Sequence, residues 1–154
     1  SIHPREYLAV GRPNNMRKVE AALREVVRRR IPHEVSLIYG LPEQTIRTFE
    51  ESVGWCEKIG VKSIKAYPLL LLRGTELANN ADKWSLKVDD GDLPFVIGSS
   101  TFDLEDWQAM DCIASSLSSH NNPTSRRAQE LEASVPHCQP RLPGARNLAL
   151  GKTR

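Results

Sequence analysis

The stretch from Val35 to Thr45, V-S-L-I-Y-G-L-P-E-Q-T, limits the fold more than any other part of the chain. A short apolar run rich in β-branched residues stops at Gly-Leu-Pro and passes at once into a helix start, which reads as strand, tight turn, helix. Val35, Leu37 and Ile38 are too apolar for a solvated edge, so this strand is expected to be covered on both faces, as in parallel α/β sheets. Gly40 allows the backbone to turn where a side chain would collide. Pro42 has its φ pre-set, and Glu43 with Thr45 puts a carboxylate and a hydroxyl at a helix N-terminus. In folds of this kind, ligands bind beyond the carboxyl ends of the strands, where this turn lies.

Hydrophobic periodicity extends the pattern in both directions. Asn14 or Asn15 caps a helix whose stripe is Met16, Val19, Leu23, Val26 and Val27, ending near Ile31-Pro32. Arg28, Arg29 and Arg30 fall in its last turn, where cations complement the helix dipole, and we read them so rather than as an anion site. Beyond the turn, Ile46, Phe49, Val53, Cys56 and Ile59 recur at helical spacing and Gly60 closes the segment, which makes Cys56 a packed thiol. The next strand is Ile64–Leu72, with Pro68, which cannot donate to a ladder, at its carboxyl end or at a bulge. Helix, strand, helix, strand at this spacing predicts a parallel βαβ arrangement, with strands 35–39 and 64–69 adjacent.

After Arg73-Gly74-Thr75 a short helix runs through Leu77, and Val88 and Phe95-Val96-Ile97 are candidate short strands. The acidic turn Asp89-Asp90-Gly91-Asp92 lacks the spacing and terminal Glu of a calcium loop and reads as a solvated turn. Asp103 caps a final helix with a stripe of Leu104, Trp107, Met110, Ile113, Ala114 and Leu117, off which Cys112 lies. The first residues, Ser1 to Val10, read as the middle of a connection, with something expected upstream.

Charge and cysteine usage narrow the classes of function. Of the 154 residues 26% are charged, with a net formal charge of +2, but residues 121–154 hold six Lys/Arg against two Glu, so residues 1–120 carry −2. The basicity belongs to the tail, and no folded basic face with groove-reading elements points to nucleic acid. No apolar run reaches the roughly 18 residues of a membrane-spanning helix, and no signal peptide opens the chain. Cys56, Cys112 and Cys138, odd in number and widely spaced, suggest free thiols in a reducing, cytoplasmic setting. From about 120 to 154 Ser, Asn, Pro, Arg and Gly dominate without periodicity, which predicts a disordered tail behind a folded region at 1–119.

Three segments, S-I-H-P-R-E-Y-L-A-V-G-R-P-N-N-M, V-S-L-I-Y-G-L-P-E-Q-T and I-K-A-Y-P-L-L-L-L-R-G-T-E-L, in this order and at these distances, resemble the carboxy-terminal half of a radical SAM enzyme barrel. The resemblance covers about residues 1–119. It is nearest to the radical SAM proteins that often carry an upstream cobalamin-binding domain, and more distantly similar to the coproporphyrinogen dehydrogenase branch. It implies a partial (β/α) TIM-type barrel holding S-adenosylmethionine and a [4Fe-4S] cluster, 5′-deoxyadenosyl radical chemistry on an unidentified substrate, and cobalamin if such an upstream domain exists.

Within the resemblance, the family pattern Gly-x-Ile-x-Gly-x-x-Glu falls on Ser36, Ile38, Gly40 and Glu43, with Ser replacing the first Gly. There Ile38 would touch the adenosyl group and Glu43 would help to hold the turn. Arg12 matches an arginine that reaches the methionine carboxylate, and Tyr67, Pro68 and Leu69 match the segment passing the adenine. Without the resemblance, Arg12 reads as a surface ion-pairing group, and Tyr67 and Leu69 as core. The chain departs from the family in having no Cys-x-x-x-Cys-x-x-Cys triplet, which the cluster requires for three thiolate ligands. The expectation is therefore a fragment that supplies part of a cofactor wall, is inactive alone and has the missing amino-terminal half of the barrel as its partner. The alternatives are a non-catalytic remnant that binds a partner through an open sheet edge, and a phosphate-binding domain using Gly40–Thr45 as an anion turn, although the Lys and multiple Gly of a P-loop are lacking.

Overall fold

The computed structural model describes residues 1–120, and the expected disordered tail lies outside them. The central element is a parallel pair of strands, β1 (Val35–Tyr39) and β2 (Ile64–Pro68), in the register Val35↔Ile64 through Tyr39↔Pro68. Five helices surround or precede this pair, all but the first in the order expected from the sequence. These are α1 (Pro4–Ala9), α2 (Met16–Arg28), α3 (Ile46–Ile59) and, after a short α4 (Glu76–Asn79) and an antiparallel hairpin, α5 (Leu104–His120). The hairpin pairs β3 (Lys87–Val88) with β4 (Val96–Gly98). The described residues form a mixed α/β fold with a two-stranded parallel sheet and no closed barrel, and none of their helices is long and apolar enough to cross a membrane.

Local chemistry accounts for the helix ends. The Asn15 side chain accepts from Lys18 N at 3.2 Å, Thr45 and Thr48 form a reciprocal capping box, and Gly60 closes α3 in the left-handed conformation at φ 98°. Asp103 accepts from Asp106 N at 3.1 Å while Asp106 accepts from Asp103 N at 3.3 Å, so α5 begins on the same reciprocal device. The segment before α2 corrects the sequence reading: Ser1–Val10 is no mere connection but carries α1, with Pro4 in its first turn and Glu6 behind it. Pro at the first helical position followed by an acid is a helix-start signal that the sequence did contain.

Alternation along β1 and β2 divides the sheet into two unlike faces. Leu37, Tyr39 and Ile64 point to a core that α3 and α5 supply with Phe49, Val53, Cys56, Ile59, Trp107 and Met110. Tyr39 is its hub, with its ring centroid 5.7 Å from Phe49 and 5.8 Å from Trp107, and its hydroxyl donates to Asp111 Oδ1 at 2.5 Å. A tyrosine so buried requires that polar outlet. The opposite face carries Ser36, Ile38, Lys65 and Tyr67, of which Ser36 and Tyr67 are exposed. Coverage on both faces, expected from the apolar run, is thus not found: one face is packed by helices, and Ile38 is only half-buried on the other.

The second strand is shorter than its apolar run suggests. Pro68 ends β2, Leu69 N still donates to Tyr39 O of β1 at 2.8 Å, and the chain then changes partner, with Val96 N donating to Leu69 O at 2.9 Å, Leu71 N to Pro94 O at 2.8 Å and Leu70 bridged antiparallel to Phe95. Leu104, expected in the α5 stripe, is the first residue of the helix and is 42% exposed, whereas Trp107 one turn on is buried. Of the cysteines, Cys56 is free and buried as expected, and Cys138 lies outside the described residues.

Two expectations about stability follow. Gly40 has φ 82°, and a Cβ built there would lie 2.9 Å from Val96 O, against backbone that cannot swing aside. Gly40→Ala should therefore lower unfolding free energy by about 2 kcal/mol or more. Gly54, in mid-α3 with nothing within 4 Å of its built Cβ, should gain about 0.5–1 kcal/mol on replacement by Ala. Urea denaturation of the two variants should shift the midpoint in opposite directions. Burial pushes the Cys56 thiol up from its ordinary value, so the unfolded chain loses this proton at lower pH than the folded one. Stability should then fall as pH rises through the ordinary thiol range, and Cys56→Val should remove that part of the slope in parallel denaturation series.

Candidate functional site

At the carboxyl end of β1 the turn is built around Gln44, whose side chain is fully buried. Its Oε1 accepts from Gly40 N at 2.8 Å and Leu41 N at 3.2 Å. Its Nε2 donates to Glu6 Oε2 at 3.1 Å and, at 3.5 Å, to Ile38 O. One amide thus closes the turn and ties it to α1. Thr101 Oγ1 donates to Gln44 O at 2.7 Å, joining the same point to the loop before α5.

This network decides between two readings of the turn. Gly40 N and Leu41 N are taken by Gln44, Gln44 N donates to Leu41 O, and Thr45 N donates to Thr48 Oγ1. An anion turn needs free N–H donors converging on a ligand, so the phosphate-turn reading is not supported. Glu43 lies in the turn at φ 65°, half-buried, with no hydrogen bond to another described residue. The side chain that holds the turn is Gln44, one position further on.

Glu6 is the second residue that the sequence reading missed. It is 1% exposed, and its Oε1 has no hydrogen-bond partner among the described residues. A buried, half-partnered carboxylate is costly to keep. Its one bond fixes which way the Gln44 amide faces, because only the NH₂ end can donate to a carboxylate. The available signal was Glu6 two residues after Pro4, which reads as an ordinary first-turn acid and gives no hint of burial.

Over the open face of the sheet, the segment leaving α1 crosses the first strand and leaves a groove of about 340 Å³. It is lined by Tyr7 of α1, by Val10, Arg12 and Asn14 of the segment after it, and by Ser36, Ile38 and Leu41 from β1 and its turn. Three of the sequence-derived residues, Arg12, Ser36 and Ile38, therefore meet in one place. Arg12 is exposed and in no ion pair with a described residue, while its backbone N donates to Tyr7 O at 2.8 Å. Tyr67 shares this face as the register partner of Ile38 and is 49% exposed, which removes the core reading, but it stands outside the groove lining. Gly40 and Glu43 belong to the turn beneath, Pro68 lies on the Tyr39 side of the sheet, and Leu69 packs against the core.

A guanidinium, a hydroxyl and an apolar floor can hold a small molecule with an anionic group and an apolar body. The groove has no cysteine or histidine, and no group of three or more His, Cys, Asp or Glu able to hold a metal ion occurs among the described residues. Cys56 is sealed in the core and the sequence holds no Cys-x-x-x-Cys-x-x-Cys triplet, so these residues do not fit an iron–sulfur cluster. The arrangement can bind and orient, and its own side chains supply no nucleophile with an adjacent base. No protein-family model matches the chain, and no curated protein matches it.

The turn network predicts a large cost for losing its amide. Gln44→Leu strands two buried N–H groups and the remaining bond of Glu6, and should destabilise the fold by about 2–4 kcal/mol. Thermal unfolding of this variant beside Glu43→Leu, which should stay within about 1 kcal/mol of the parent chain, checks that the clamp is residue 44.

Proposed function

We propose that the chain is part of a radical SAM enzyme and supplies one wall of its S-adenosylmethionine site from the open face of β1 and β2. The observation that carries this reading is the single groove that Arg12, Ser36 and Ile38 line together. The parallel register of the two strands supports the barrel-fragment architecture, in which the helix-free face looks inward and the α3–α5 face outward. Arg12 would take the methionine carboxylate, Ile38 and Leu41 would pack on the adenosyl group, and Tyr67 would extend the wall along the same face. When bound to a reduced cluster, this cofactor supplies a 5′-deoxyadenosyl radical. What the chain's own residues do is hold, orient and exclude water.

The cluster has no ligands here, so this reading routes no step through it and makes the chain inactive alone, with a cysteine-bearing amino-terminal half of the barrel as its partner. The open face favours one other reading, a non-catalytic interaction module. Exposed Tyr67 beside Lys65 and Ser36 is a surface that a second protein could cover.

Equilibrium dialysis with S-adenosylmethionine separates the two. The cofactor-wall reading predicts saturable binding that Arg12→Ala weakens by about 1–3 kcal/mol, the range for losing a charge-assisted hydrogen bond. It also predicts no dithionite-dependent 5′-deoxyadenosine from the purified chain. Unchanged binding in Arg12→Ala would remove the role given to that arginine, and absence of binding would leave the interaction module as the better reading.

A further inference from the structure

The opposite end of the same sheet carries a second groove, which the proposed cofactor wall does not use. It has a volume of about 450 Å³ and lies where the chain enters β1 and β2. Val27, Ile31, Pro32 and Gly60 form its apolar part, and Arg30, His33, Lys62 and Ser63 its polar part. That volume falls within the range of small-molecule pockets.

The three consecutive arginines at the end of α2 do not behave alike. Arg28 and Arg29 are both committed to Glu25, with N–O distances of 2.7 and 2.6 Å. Arg30 differs: its φ is 56°, its N donates to Val27 O, and the residue lines the groove without an ion-pair partner among the described residues. Lys62 reaches the same groove from the loop after α3 and is likewise in no ion pair with a described residue. Its neighbour in sequence terms, Lys65, is by contrast satisfied by Glu34 at 2.8 Å.

No carboxylate lines the groove, and Glu34, which Ser63 Oγ meets at its edge at 3.4 Å, is already taken by Lys65. Histidine adds a third polar group. His33 Nδ1 lies 2.7 Å from Ile31 O, which assigns the proton to that nitrogen, and Nε2 has no hydrogen-bond partner among the described residues. Two cations in no ion pair with a described residue, lining one groove with an apolar floor, are the complement of an anion that carries an apolar body.

We propose that this groove binds a small organic anion, its phosphate or carboxylate head between Arg30 and Lys62 and its apolar body on Val27, Ile31 and Pro32. The site is independent of the cofactor wall, since the two grooves share no residue.

Titration of the full chain with phenyl phosphate, benzoate and inorganic phosphate, followed by amide chemical shifts at low salt, tests this. Saturable shifts at Arg30, His33 and Lys62 are expected with phenyl phosphate or benzoate, and whichever binds more tightly identifies the head group. Inorganic phosphate should bind about tenfold more weakly than the better of the two, for want of an apolar body. Arg30→Gly, which suits the positive φ and so should not unfold the chain, should weaken binding by about tenfold or more, as should Lys62→Ala. Arg17→Ala, an equal loss of charge at the far end of α2, should leave binding unchanged. Absence of saturable binding by both organic anions, binding unaffected by Arg30→Gly, or an equal loss in Arg17→Ala would overturn the proposal.

Discussion

The buried amide of Gln44 is the interaction on which the rest of the described fold depends. A parallel strand that ends in a tight turn leaves backbone donors facing inward, where each one unmet costs roughly 1–3 kcal/mol. Gln44 takes two of them on one oxygen and uses its nitrogen to hold Glu6, so strand, turn and α1 are fastened at a single point. Gly40 is the steric half of the same constraint, since only a residue without Cβ lets β1 end this close to the β4 backbone. With α1 fastened there, the segment that follows it crosses over Ser36 and Ile38, and the groove is the space left beneath it.

A consequence is that the two faces of the sheet have different physics. On the Tyr39 side, rings from three elements meet with no access for water, and truncating a buried aromatic such as Phe49 in a core of this kind typically costs about 3–5 kcal/mol. On the Ser36 side an exposed tyrosine, a lysine and a half-buried isoleucine remain where a complete sheet layer would normally be covered. Open apolar surface of this kind is tolerable when a ligand or a further part of the structure covers it. That asymmetry makes the open face, rather than the core, the place to look for function.

Much of this architecture could be read from the residues because it is local. Capping residues Asn15, Thr45 and Asp103, the left-handed Gly60 and the terminating Pro68 each act within a few positions, and all stand where the sequence indicates. The stripe of α3 is likewise dictated by spacing alone. What escaped is long-range: Gln44 and Glu6 are 38 residues apart and meet only in the folded chain, and each has a plausible surface role in isolation. The same holds for Arg30, which looks like its two predecessors until the backbone reverses and sends it into a different groove. Apolar content also overstated coverage, because a strand facing a groove and a strand buried on both sides have similar composition.

The central claim, that the open face of β1 is a cofactor wall positioned by the Gln44 turn, is tested most directly by mapping amide chemical-shift changes across the chain at millimolar S-adenosylmethionine. The account predicts changes concentrated at Arg12, Ser36, Ile38 and Tyr67, with the core strands' inward residues and the Arg30–Lys62 groove unmoved. Changes centred on Arg30 and Lys62 instead, or no change on the Ser36 face at saturating cofactor, would contradict it.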